Sequence, residues 1–135
     1  MKQYEIKEVS KLTELPASTL RYYEKLGLLK NVARDKNGRR LYTDSHLERL
    51  EGIKCFKDGG LPITKICDFY RFDDSLDKHI DDILELVIVH EKSLSEEIGK
   101  KQKQLLHIQQ KIRYYHGIKA ALESGQELPY FEDFE

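Results

Sequence analysis

Thr19-Leu20-Arg21-Tyr22-Tyr23-Glu24, then Gly27-Leu28-Leu29, and beyond them Arg34, Gly38 and Arg39-Arg40-Leu41-Tyr42, are the residues on which the reading of this 135-residue chain turns. The first stretch lies in a segment from Ala17 to Leu26 that Pro16 suits as the opening turn of a helix and Gly27 suits as its left-handed cap. Upstream, Ile6, Val9 and Leu12 recur at helical spacing, and Pro16 disfavours helical geometry at Leu15. Two short helices joined by a tight turn follow. Alone, that pattern fits either a helix-turn-helix or an ordinary helical hairpin.

Downstream, Asn31 to Arg34 and Arg39 to Tyr42 flank Asp35-Lys36-Asn37-Gly38, where the Asn-Gly pair supplies the positive-φ positions of a tight hairpin. Thr43 or Asp44 suits the cap of a third helix running to about Lys57 and stopping at Gly59-Gly60. Pro62 opens a fourth, from Ile63 to about Phe72. Residues 1–72 therefore read as helix, helix, hairpin, helix, helix, a winged helix-turn-helix domain.

From Leu76 a heptad-like repeat takes over: Leu76, Ile80, Ile83, Val87, His90, Leu94, Ile98, Lys101, Leu105, Ile108, Ile112, Tyr115, Lys119, Leu122. Successive steps of four at His90, Leu94 and Ile98 form a stutter, which locally unwinds a left-handed supercoil. A helix of such length reaches roughly 70 Å, too long to bury its seam on a domain of this size. The expected solution for residues 73–122 is a dimerisation helix in a homodimeric coiled coil. The alternative, a helix folding back within the chain, needs a break at Gly99 or Gly117. Residues 123–135 form an acidic, aromatic tail. The fold class expected is thus mainly α, a winged helix-turn-helix followed by a long coiled-coil helix.

Charge divides the same way. Residues 1–72 hold 15 Lys+Arg against 10 Asp+Glu, and residues 73–135 hold 8 against 14. A basic half joined to an acidic half suits a chain of which only the first part approaches a polyanion. No run of 18 apolar residues occurs and the N-terminus lacks a signal-type apolar core, so the expectation is a cytoplasmic protein with no membrane partner. Cys55 and Cys67 do not form a CxxC pair and suggest reduced thiols.

The ordered set quoted at the outset resembles the MerR family of transcription regulators, continuously from residue 4 to about 72. The resemblance implies a homodimer on double-stranded promoter DNA whose spacer between the two polymerase elements is over-long. The activated form bends and untwists that spacer, so RNA polymerase is an indirect partner. Base readout in the major groove needs donors on a recognition helix, where Arg pairs with guanine while hydroxyls hold phosphates. Ser18, Thr19, Arg21 and Tyr22 answer that description. Tyr23 faces either DNA or the core, and Glu24 is expected to hold an arginine, either Arg21 or one in the wing. Neighbours on a strand point opposite ways, so one of Arg39 and Arg40 faces DNA; the resemblance favours Arg39, with Tyr42 beside it and Lys65 on the backbone near a second wing.

Metal sensing is not expected: no cysteine follows Cys67, and His79, His90, His107 and His116 include no pair four residues apart. Thirteen residues after Leu122 are too few for a large ligand-binding domain. No catalytic constellation and no cofactor motif is present, so no enzyme is expected. Gly52-Ile53-Lys54-Cys55-Phe56-Lys57 with Gly59-Gly60-Leu61 resembles the subgroup that responds to aldehydes and thiol-reactive electrophiles. Cys55 has two readings: a thiol sensor whose thiolate Lys54 and Lys57 favour, or a packed cysteine, since free cysteines are among the most buried residue types. Cys67 lies in the apolar stripe of Ile63, Ile66 and Tyr70 and is expected in the core. Two rival functions remain: an architectural winged-helix protein without an effector, and a coiled-coil scaffold for protein partners, which has no need of Arg21, Arg39 and Arg40 on one side.

Overall fold

A computed structural model describes residues 2–135. Its elements in chain order are β1 (Gln3–Glu5), α1 (Ile6–Thr13), α2 (Ala17–Lys25), β2 (Ala33–Arg34), β3 (Arg40–Thr43), α3 (Asp44–Asp58), α4 (Ile63–Asp73) and α5 (Leu76–Ser124), followed by a 3-10 turn at Phe131–Phe134. The chain divides into two compact units, one ending at His90 and the other spanning Glu91–Glu135. The first fifteen residues of the long helix thus group with the N-terminal domain rather than with the remainder of the helix.

In the first unit, α1 is opened by a reciprocal cap in which the Glu5 amide donates to Glu8 Oε1 at 3.2 Å. It ends at Glu14, whose φ of 60° is left-handed. The turn into α2 is tied by side chains: Ser10 Oγ donates to the Leu15 carbonyl at 2.6 Å, and Thr13 Oγ1 donates to the Val9 carbonyl at 2.7 Å. The Leu15 carbonyl, next to Pro16, and the Leu15 amide, which donates to Thr13 Oγ1 at 3.3 Å, thereby find partners that neither helix supplies. Val9, Leu20, Tyr23, Leu28, Leu29, Tyr42, Leu50, Ile53 and Ile66 close into one core. Each fully buried leucine there contributes about 1.5–3 kcal/mol.

A three-stranded antiparallel sheet in the order β1-β3-β2 carries the hairpin, with Tyr4 opposite Tyr42 and Arg34 opposite Arg40. Strand β1 has no alternating pattern to announce it; three residues pair with β3 only because α1 and α3 hold the two segments side by side. The hairpin turn also differs from expectation. Only Gly38 is left-handed, at φ 79°, whereas Asn37 is not. The Gly38 amide donates to the Asp35 carbonyl at 3.0 Å, and Asp35 Oδ1 accepts from the Asn37 and Arg39 amides at 2.8 and 2.9 Å. The loop is therefore a three-residue type with one left-handed glycine, and the Asp35 carboxylate does the work expected of Asn37.

His46 is the buried polar residue of this domain. Its Nδ1 accepts from the Thr43 amide at 3.0 Å, capping α3, which leaves Nε2 to carry the proton and donate to the Lys30 carbonyl at 2.7 Å. One imidazole thereby fixes the start of α3 to the loop after α2. Arg49 reaches the Leu28 carbonyl and Asp74, and Lys30 reaches the same carboxylate at 3.2 Å. Partial burial pushes the Asp74 carboxyl up, but its hydrogen bonds to Arg49 and Lys30 outweigh that and hold it below the usual range.

In α5 the backbone departs from helical geometry only at His79, with φ −130° and ψ 20°. The alternative of a fold-back at Gly99 or Gly117 is overturned, since helix runs through both. The reversal comes at Gly125, left-handed at φ 70°. In the second unit the tail packs back on its own helix. Phe131 lies edge-on to Tyr114 and His107, Arg113 Nη2 donates to the Phe134 carbonyl at 2.9 Å, and Phe134 fills the space where a Gly117 side chain would stand, its Cζ 2.5 Å from that Cβ position. Gly117 is thus a seat for an aromatic ring and not a hinge. Leu105, Ile108, Ile112, Tyr115 and Leu122, all on the predicted seam, remain more than half exposed.

Candidate nucleic-acid interface

Pro16 starts α2 without a side-chain cap; the Thr19 and Leu20 amides return to the Pro16 carbonyl at 3.0 and 3.2 Å, while those of Ala17 and Ser18 stay unused by the helix. A helix end of this kind favours phosphate. Leu20 and Tyr23 anchor the helix to the core, and that anchoring turns Ser18, Arg21 and Tyr22 outward, with Thr19 half-buried. Tyr23 is therefore a packing residue, buried to 3% exposure.

Glu24 holds an arginine of the wing. Its Oε2 accepts from Arg40 Nε at 2.6 Å in a pair roughly three-quarters buried on each side. A charge-assisted bond of this kind is worth about 1.5–3 kcal/mol, and it fastens the hairpin to α2. Alternation along the strand then turns Arg39 to solvent. Arg21 and Arg39 have no ion-pair partner among the described residues, in contrast to Arg40. Arg34 spends part of its guanidinium on the Gly38 carbonyl at 2.9 Å, stiffening the turn. Lys65, two residues into α4, is exposed.

Tyr42 needs correction. Expected at the DNA surface, it is fully buried, edge-on to His46 at 5.8 Å, and among the described residues its hydroxyl has no hydrogen-bond partner. Strand alternation explains this: Arg40 and Tyr42 share the inward parity of β3 that Arg39 and Leu41 do not. A buried unpaired hydroxyl costs about 1–3 kcal/mol. Tyr42→Phe is therefore expected to raise the melting temperature without weakening DNA binding; a loss of DNA affinity in an intact fold would show that the hydroxyl reaches the nucleic acid.

The packed reading of Cys55 also fails, since that residue is exposed whereas Cys67 is partly buried against the core. Burial, with Asp68 adding to it, pushes the Cys67 thiol up. One support for a Cys55 thiolate is removed as well: Lys54 Nζ turns to the Thr13 carbonyl at 3.3 Å and to Glu14 at 3.6 Å. No cluster of three metal-ligating side chains occurs among the described residues, and no helix is long and apolar enough to cross a membrane.

Residues 4–71 match the family model for the MerR HTH family regulatory protein. The chain belongs to the MerR family. An HTH-type transcriptional regulator of Haemophilus influenzae, described as uncharacterized, is 33% identical over 106 residues, covering 78% of each chain. A probable heavy metal-dependent transcriptional regulator of the same organism is 31% identical over 111 residues, covering 82% of this chain and 84% of that one. The crystal structure of HiNmlR, a MerR family regulator lacking the sensor domain, bound to promoter DNA, matches with a TM-score of 0.79 at 30% identity, over 88% of this chain and 90% of that one. This MerR-family chain is accordingly a helix-turn-helix transcriptional regulator, a class of DNA-binding proteins rather than of enzymes. His46, the Glu24–Arg40 pair and the Arg49–Asp74–Lys30 group are details its sequence did not single out by partner.

Proposed function

We propose that this MerR-family regulator works in the cytoplasm as a homodimer on double-stranded promoter DNA, and that it has no enzymatic activity. Arg21 reads a base in the major groove, Ser18, Thr19 and Tyr22 hold phosphates beside it, and Arg39 and Lys65 grip the flanking backbone. The observation that carries this reading is the contrast between Arg40, paired with Glu24, and Arg21 and Arg39, exposed without ion-pair partners on the same recognition module. A crystallised relative of similar length is described as bound to promoter DNA, which supports the same partner. The dimer bends and untwists an over-long spacer so that RNA polymerase meets both promoter elements, drawing specificity partly from DNA deformability. Cys55, exposed on α3, is the sensor through which a thiol-reactive effector alters that distortion.

Footprinting the full-length protein on the DNA upstream of its own gene tests this directly. The expected pattern is a protected, near-palindromic site within the spacer, with enhanced cleavage at its centre where the duplex is distorted. Protection of random DNA to the same extent would overturn the reading.

A further inference from the structure

Asp74 caps the end of α4 just ahead of α5, and its carboxylate is divided between two cations from different parts of the domain. Oδ1 accepts from Arg49 Nη2 of α3 at 3.1 Å, and Oδ2 accepts at 3.2 Å from Lys30 Nζ, on the loop that leaves the recognition helix α2. A carboxylate held at both oxygens cannot turn without releasing one of them. Both cations are themselves placed. Arg49 lies over the Tyr70 ring at 4.6 Å and gives Nη1 to the Leu28 carbonyl at 3.4 Å, while the Lys30 carbonyl accepts from His46 Nε2 at 2.7 Å. The exit of α2, the body of α3 and the junction of α4 with α5 are thereby tied at a single group.

Folding stability does not account for this arrangement. The side chains of Lys30, Arg49 and Asp74 are 59%, 24% and 33% exposed, and ion pairs that open to water contribute little to stability. What they fix is direction. Soon after the junction, α5 departs from helical geometry at His79, where the helix ladder is interrupted and its axis is free to bend. In the proposed homodimer the two recognition helices are joined through the α5 pair, so the angle between α5 and its own recognition module sets their separation. A swing of about 10° at the junction carries a point roughly 20 Å away by about 3.4 Å, the rise of one base pair.

We propose that Asp74 is a positioning residue for promoter recognition: its carboxylate, shared between Lys30 and Arg49, fixes the angle at which the dimer helix leaves the recognition module, and so sets the half-site spacing that the homodimer accepts. The inference rests on the reading of this chain as a homodimer on a two-part site, for which half-site spacing is a geometric property. Asp74 touches no DNA in this role; it acts through the orientation of Arg21.

Anisotropy titrations of the full-length protein on fluorescent duplexes test it. The duplexes are the footprinted site, the same site with its centre lengthened or shortened by a base pair, and a single half-site. Asp74→Asn, which removes the charge and keeps the size, is expected to lower the ratio of affinities between native and altered spacings about fivefold. Binding to the single half-site should stay at the wild-type value. Lys30→Met, at a mostly exposed position, should shift the ratio the same way. Asp74→Glu, with both charged acceptors, should keep more of it than Asp74→Asn. With the dimer intact by light scattering, a wild-type ratio in both Asp74→Asn and Lys30→Met would overturn the proposal. An equal loss on the half-site and on every spacing would do the same, reducing Asp74 to a structural part. A wild type indifferent to spacing would instead remove the two-part reading beneath it.

Discussion

Replacing Leu105 and Ile108 together by glutamate is expected to convert the dimer into a monomer and to abolish specific promoter binding at concentrations where the wild type saturates its site. Both residues lie on the free seam of α5 and are more than half exposed within a single chain, 56% and 51%. The docked tail takes up the neighbouring face, that of His107, Tyr114 and Gly117, and the seam of Leu105, Ile108, Ile112 and Tyr115 stays open for a second copy. Introduced carboxylates would leave water to enter that seam, where the second copy brings the same negative charges, and a buried charge that is not fully paired costs about 3–5 kcal/mol. Light scattering should give about twice the 15.9 kDa chain mass for the wild type and the chain mass for the variant. A wild-type monomer at micromolar concentration, or a variant that stays dimeric, would remove the seam from the argument. In the proposed mode, with one protomer on each half-site, losing the dimer also loses the gain of binding two sites at once.

The second large effect concerns Arg21. Arg21→Ala is expected to weaken binding to the specific site by roughly 1–3 kcal/mol and to relax the sequence preference, with little change on random DNA. Arg39→Ala should weaken both alike and lower the slope of log affinity against log salt by about one. Measuring both variants on specific and random duplexes across a salt series distinguishes base reading from phosphate holding. Equal losses on the two duplexes for Arg21→Ala would reassign it to the backbone. Neither residue has an ion pair to lose among the described residues, so a change in folding stability should not accompany either effect.

Helical elements were legible because their signals are local. Pro16, Gly27, Gly59-Gly60 and Pro62 mark helix ends by backbone chemistry that needs no distant partner, and the structure places those ends within a residue or two of where they were read. The three-residue β1 has no such signal, since pairing with Thr43, Tyr42 and Leu41 arises only once the helices have packed. Tyr42 was misread for a related reason: alternation tells that Arg39 and Arg40 diverge but not which parity is inward, and Glu24 decides it from sixteen residues away. Cys55 keeps two readings in the sequence because free cysteines are usually buried while its neighbours Lys54 and Lys57 are cations, and the flanking Gly52 and Gly59 do not say whether they leave a void or admit a ring. His90 read as one more position of the heptad seam, since nothing in the repeat distinguishes a residue that meets a second copy from one that meets Gly59.

The Glu24–Arg40 bridge has a thermodynamic consequence for how the regulator finds its site. With the hairpin fastened to α2, the cation on the wing and the reader on the helix behave as one two-pronged ligand. In the proposed binding mode, once Arg39 had captured a phosphate on any stretch of duplex, Arg21 would sample the adjacent groove at an effective concentration set by a fixed geometry, with no linker to reorganise. Ordering that a looser wing would have to undergo on every encounter has already happened during folding. Sliding along DNA would then amount to repeated testing by a preset gauge, a wrong base being rejected because the prong does not shift to accommodate it.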